Sequence, residues 1–559
     1  MGYVFLWLEA MASALLLVAG VFSFSGRLKK WPILCPTLMA LLLTVPAIAA
    51  TVFAGYLFFE NIHPQWLFPY TFFWALLFVT GSWILIRWGR IKAGETLVAA
   101  SWSRSKTAGA FVIALALQWS TMTAFDNAAK LEAIAYQNTA LNRAQTIISS
   151  PPSNDEDATE IYNQVHKEMG KVPEWLEDAA TDPSFDPQSE RAQNLLKINK
   201  KSIALIKGAV KKPRLYHPLL VSYDYELQEL SSFKNNALLL ALEARTHARN
   251  GKINSALQNI SSINKIVEQL LQTPTIINVL VAGTIHAETK KTLEISLAEK
   301  PTLTRIKAPL PVKTNFHITQ IFQRAMVYET AFGASMFGDM VLNDESSESP
   351  FLFLLEEDEI ELELKTFFWN HIIAPLYRIF LFHEDRASHE HFWERYHEYI
   401  KEPYYKSGVK LKKWEDQLSE DLDLGFFMSM HSSSFGGYFK RVTRQQTQFL
   451  LGRLGLATAA YHSDHDKYPD TLDALAPKYI TEIPIDPFSG EPLKMIAVKN
   501  GLILYGIGPN LNDDQGTPFE REDYDWDNTK GDIAFYLGSV FKKYRLQPAL
   551  EAMKKQDKE

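Results

Sequence analysis

The side chains best suited to chemistry lie close together late in the chain: His383-Glu384-Asp385, then His389, Glu390, His391, Glu394 and His397. Imidazoles and carboxylates at helical spacing bind zinc and iron, and the same groups act as general acids and bases. Glu394 and His397 share a helix face, and Glu390 joins them one turn earlier. A carboxylate-bridged bundle centre needs a Glu-x-x-His pair from each of two helices, and the sequence offers no convincing second pair. The Glu390-His391 order also departs from the His-Glu-x-x-His zinc pattern. The cluster therefore reads as a charged helix face, with a metal-dependent hydrolase as the alternative. Tyr461-His462-Ser463-Asp464-His465-Asp466 contains the residue types of a serine triad. One helical turn cannot aim all three groups at one another beside an oxyanion site. No phosphate loop, dinucleotide fingerprint or nucleophile elbow occurs, so no catalytic residue is assigned.

The elements that must position these groups are mostly helices. Residues 126–149 and 191–210 have helical composition, and Leu238 to Gly251 followed by Ile253 to Leu271 forms a helical hairpin at Asn250-Gly251. Small residues Ala241, Ala244, Ala248 and Ala256 permit close approach of its helices. Further helices are expected at 275–297, 316–332, 366–382, 388–400 and 441–464. Beyond Pro469, residues 493–498 and 502–505 read as two short strands joined by Lys499-Asn500-Gly501, a hairpin signal.

Charge divides the chain. Residues 1–124 carry a net +5 and the remainder −12, within a total of −7 over 559 residues. That balance gives no footprint for nucleic acid. The single cysteine, Cys35, excludes an internal disulfide and a cysteine-based metal cluster. Four apolar runs, 4–24, 33–59, 69–86 and 108–124, are expected to span a bilayer. Basic loops at Arg27 to Lys30 and Arg87 to Lys106 point to the cytoplasm. The sequence thus predicts a multi-pass protein of the cell inner membrane, in contact with the lipid bilayer, with its N-terminus and large C-terminal region extracytoplasmic. Three regions are expected: a four-helix transmembrane region at 1–124, an extracytoplasmic α-helical domain at 125–440, and a small α+β module at 441–559.

The last module carries a recognisable pattern. Tyr468-Pro469, Ile483-Pro484, Asp486-Pro487-Phe488-Ser489-Gly490, Tyr505-Gly506-Ile507-Gly508-Pro509-Asn510 and Gly531-Asp532-Ile533 follow in order. This run resembles the C-terminal domain of the major pseudopilin of type II secretion, protein G. The whole layout is similar to uncharacterised membrane-anchored proteins of planctomycetes and related bacteria. Arg441, Arg444 and Arg453 would not sit in a bilayer, so the resemblance does not extend to the membrane helix by which pseudopilins assemble. It implies a calcium ion bound by the acidic loop, with Asp513, Asp514 and Asp532 as ligands and Asp525 or Asp527 assisting; calcium takes six to eight oxygen ligands from such loops. The functional expectation is a binding or scaffold protein with a possible envelope protein partner in a secretion-type assembly. A metal-dependent hydrolase and a membrane transport component are the alternatives.

Overall fold

The computed structural model describes residues 104–148, 152–153, 155–217, 230–299, 318–342, 377–378, 382–420, 436–518 and 531–556. The described residues are mostly helical and include a small three-stranded sheet. Its residues sort into two compact units interleaved along the chain. One comprises Met1–Asn138, Met336–Trp393 and Asp416–Ser433, and the other Thr139–Ser335, Glu394–Glu415 and Ser434–Glu559.

The four-span anchor is not supported. No helix among the described residues is long and apolar enough to cross a membrane. The expected fourth span lies inside α1 (Arg104–Gln145), which continues without a break past Asp126, Lys130 and Glu132. Its apolar run is 17 residues, about 25 Å of helix against a hydrocarbon core of ~30 Å, and it is interrupted by Gln118, Ser120, Thr121 and Thr123. The runs at 4–24, 33–59 and 69–86 lie outside the described residues. The transmembrane character, the multi-pass inner-membrane location and the extracytoplasmic placement derived from them are corrected accordingly.

The first unit is described mainly by the early part of α1 and by the start of a later helix. Two short helices, α2 (Thr159–Glu168) and α3 (Leu176–Thr181), open the second unit, followed by α4 (Glu190–Ile198) and α5 (Lys200–Ala209). The expected block at 191–210 is thus broken at Asn199, which ends one helix and begins the next. The hairpin forms as α6 (Leu230–Arg249) and α7 (Ile253–Leu270). Gly251 turns the chain at φ +76°, a conformation that a side chain would strain. Ala241, Ala244, Ala248 and Ala256 are all buried at the seam. Both helices pack on α8 (Ile276–Glu299), a helix buried on nearly every side.

Then come α9 (Ile318–Leu342), α10 (Phe382–Lys401), α11 (Tyr404–Glu420) and the 30-residue α12 (Gly436–His465). Strands β1 (Lys494–Val498), β2 (Gly501–Gly506) and β3 (Ile533–Gly538) form an antiparallel sheet in that order. Asn500, at φ 60°, makes the β1–β2 turn and sets Lys494 opposite Tyr505. Helix α12 lies across β2 and β3. A Cβ at Gly455 would come within 2.5 Å of the Phe535 ring, so glycine is what lets the helix reach the sheet. The other face of the sheet packs Ile503, Tyr505 and Tyr536 against Ile295 of α8 and against Val540 and Phe541. After β3 a short π-helical turn, Lys542–Leu546, leads into α13 (Gln547–Gln556).

Candidate functional site

Among the described residues strand β3 is an edge of the sheet, and an unpaired edge in a buried position leaves backbone groups without partners. Two side chains of α8, four residues apart, supply them. Lys290 Nζ donates to the Ala534 carbonyl at 2.5 Å, and Glu294 Oε1 accepts the Tyr536 N–H at 2.8 Å. Lys290 and Glu294 also pair at 3.6 Å, and both are buried. Burial pulls the lysine down to about 8, with Glu294 opposing that shift. Arg545 approaches Glu294 at 3.6 Å and lies over the Tyr536 ring. The helical layer therefore closes the sheet edge and fixes the C-terminal module to α8.

Beside this junction is a cleft of about 750 Å³ inside the second unit. Its walls are the end of α8, the end of α6, the 183–187 loop, the tail of α12 with Tyr468, and the segment from β3 to α13. Ile295, Ala298, Phe541 and Leu546 give it an apolar body. Polar and charged residues, Asp186, Arg249, Asn500 and Lys542 among them, share the lining. His462 meets Tyr468 at 4.3 Å between ring centres with the rings tilted by 39°, and burial lowers the histidine and raises the tyrosine. Ser296 and Glu299 of α8 also belong to the wall. Behind them the guanidinium of Arg245, fully buried, donates to the carbonyls of Ala179, Asp182 and Phe185 at 2.7–2.8 Å. Glu299 Oε1 is 3.4 Å from that guanidinium, and burial raises the carboxyl above its ordinary range despite it. Among the described residues, Glu299 Oε2 and Ser296 Oγ have no hydrogen-bond partner.

The histidine–carboxylate cluster does not converge. In the first unit His389 is fully buried between Tyr136 and Trp393. The Trp393 indole N–H can only donate, at 3.0 Å to His389 Nε2, so the ring is neutral with its proton on Nδ1 toward the Tyr136 oxygen. His383 and Arg386 pair with Glu132, and Arg386 also with Glu390. Asp385 accepts the buried Tyr377 hydroxyl. In the second unit His397 bonds Thr330 Oγ1 at 2.9 Å, and burial, with Lys401 and Arg143 adding to it, lowers it to about 4. Glu394 and His391 are exposed. Around His462-Ser463-Asp464, the carboxylate of Asp464 accepts from Lys478 and Tyr479.

The residues that carry the pseudopilin resemblance have structural work. Asp486 is buried and accepts from the Phe488 N–H at 3.1 Å, the Ser489 hydroxyl at 3.2 Å and the Ile507 N–H at 2.9 Å. It ties the Asp-Pro-Phe-Ser-Gly turn to the end of β2. Asp532 Oδ1 and Oδ2 accept the N–H groups of Asp514 and Gly516. Burial raises its carboxyl to about 6. Asp514 in turn accepts from Asn510 Nδ2 and the Gly531 N–H, each at 2.8 Å, and Asp513 pairs with Lys494 at 2.6 Å. Asp513, Asp514 and Asp532 thus share one loop and accept from amides and a lysine. No group of three or more metal-ligating side chains is assembled among the described residues. Asp525 and Asp527 lie outside them, and calcium at this loop rests on the resemblance alone.

Sequence reasoning did not find Lys290, Glu294, Ser296, Glu299 or Arg245. The Lys290–Glu294 pair at i, i+4 is visible in the sequence, but it stands among His286, Glu288, Thr289, Lys291 and Thr292, so nothing local marks it as buried. No protein family, curated protein or solved structure matches the chain.

Proposed function

We propose that the protein is a binding scaffold and that the cleft between α8 and the C-terminal module is where its ligand sits. The observation that carries this reading is the cleft itself. It has the volume of a small-molecule site, and its lining joins apolar side chains to polar and charged ones. The buried Lys290–Glu294 junction holds its two walls in register, so the pocket is preorganised. A hydrolase centred on the histidines has less support, because His389 and His397 are bonded to Tyr136, Trp393 and Thr330. Attachment to an envelope assembly remains a separate proposal that the cleft does not require.

The test is binding of a neutral apolar probe, 1-naphthylmethanol, followed by its fluorescence. Saturable binding at one site per chain is expected, and Ala298→Trp, which fills the cleft, should abolish it while the far-ultraviolet circular dichroism stays unchanged. Absence of saturable binding, or equal binding by the folded tryptophan variant, would refute the reading.

A further inference from the structure

Residues of an antiparallel strand direct their N–H and C=O groups alternately to one side and the other. In β3 the Ala534 carbonyl and the Tyr536 N–H point away from the sheet, to Lys290 and Glu294. Their partners in β2, Tyr505 and Ile503, therefore turn both backbone groups toward β1, where they face Lys494 and Ile496. It follows that Leu493, Met495 and Ala497 present theirs at the outer edge of β1. The Leu493 N–H is met there by the Pro484 carbonyl at 2.9 Å. Among the described residues, no backbone group pairs with Met495 or Ala497 across that edge, and Ala497 and Val498 are exposed. An open edge of this kind is a template for another strand.

We propose that the strand added here is β1 of a second copy of this chain, antiparallel about a two-fold axis at Ile496. In that register Met495 of each copy stands opposite Ala497 of the other. Both residues carry outward groups, so each of the two pairs exchanges two N–H to C=O bonds. Lys494 falls opposite Val498 of the other copy rather than opposite a cation, and its charge is already met by Asp513 at 2.6 Å. The lengths agree as well. Ile485 bridges to Pro492 and closes the edge before β1, while Lys499-Asn500 turns the chain away after it, so the open stretch accepts a strand of its own length. The two-fold brings the exposed Val498 at one end of each strand up to the exposed Ile485 at the far end of the other. A strand of unrelated sequence would find the same backbone groups but not this match at both ends. So short a seam makes a weak, reversible dimer.

Sedimentation of the full chain should show monomer and dimer in exchange as its concentration is raised to about 0.3 mM, the range of a small transient interface. Ala497→Pro removes an outward donor and leaves the β1–β2 ladder intact, so it should raise the dimer dissociation constant at least roughly tenfold. A pair of cysteine variants in a Cys35→Ser background reads the register. Ile496→Cys should give a disulfide-linked dimer on mild oxidation, because the two copies of residue 496 are opposite. Val498→Cys should not, since its two copies stand ~14 Å apart along the strands, too far for a disulfide. This pair carries the test if the proline variant does not fold. A chain that stays monomeric over the whole range, or one in which Val498→Cys cross-links as readily as Ile496→Cys, overturns the proposal. Protection of the Met495 and Ala497 amides from hydrogen exchange in the monomer also overturns it, because the chain itself would then cover the edge.

Discussion

If Lys290 and Glu294 seal the β3 edge, they should behave differently from an ordinary buried ion pair when both are removed. Glu294→Ala leaves the Lys290 ammonium buried and the Tyr536 N–H without its 2.8 Å acceptor. Breaking a buried pair from one side costs about 3–5 kcal/mol. Replacing an isolated pair by apolar residues of similar volume is often neutral or stabilising. Here Lys290→Met with Glu294→Leu also strips the Ala534 carbonyl and the Tyr536 N–H of their partners. At about 1–3 kcal/mol for each group left unpaired, the double variant should stay roughly 2–6 kcal/mol below the parent. The sign of the pH effect follows from the lysine held at about 8. Between about 8 and its unfolded value near ~10.4 the folded state binds fewer protons, so its contribution to stability rises with pH, and Lys290→Met should flatten that rise. Urea unfolding measures the stabilities, and amide hydrogen exchange at Tyr536 reports the edge locally. A double variant as stable as the parent, with the Tyr536 amide still protected, would refute the sealing role.

Substitutions at two further positions test other joints of the same unit. Glu329 accepts the Ile276 N–H at 2.9 Å, which caps the start of α8, and burial raises it to about 7. The folded state then holds a proton that the unfolded chain has lost, so parent stability should fall from about pH 4.5 to 7. Glu329→Gln, which keeps an acceptor, should gain on the parent over that window in paired urea melts, and a constant difference would contradict the assignment. Asp486→Ala should cost about 3 kcal/mol, because the Phe488 and Ile507 amides lose a buried acceptor, while Asp486→Asn should cost roughly half. Thermal unfolding of the two variants checks this, and equal melting temperatures would argue against the tie between turn and strand.

Periodicity and turn chemistry determined the local elements. The Asn250-Gly251 hairpin, the helix at 275–297 and the β1–β2 turn at Asn500 were legible because each depends on residues close in the chain. The Asp486-Pro487 and Gly531-Asp532 motifs were also visible, and their backbone-bonding role fits the residue types that mark turns. The apolar run at 108–124 misled, since a hydrophobic stretch has the same composition inside a long continuous helix as at the start of a span. What the sequence could not decide is where charges meet. Lys290 and Glu294 lie more than 240 residues from Ala534 and Tyr536, and Arg245 reaches carbonyls about sixty residues away. The cluster near 390 read as a charged helix face, yet His389 and His397 turn inward to bond Tyr136 and Thr330. Hydrogen-bond partnership in a core is set by which surfaces the whole chain buries together, and for those groups only the tertiary structure could assign it.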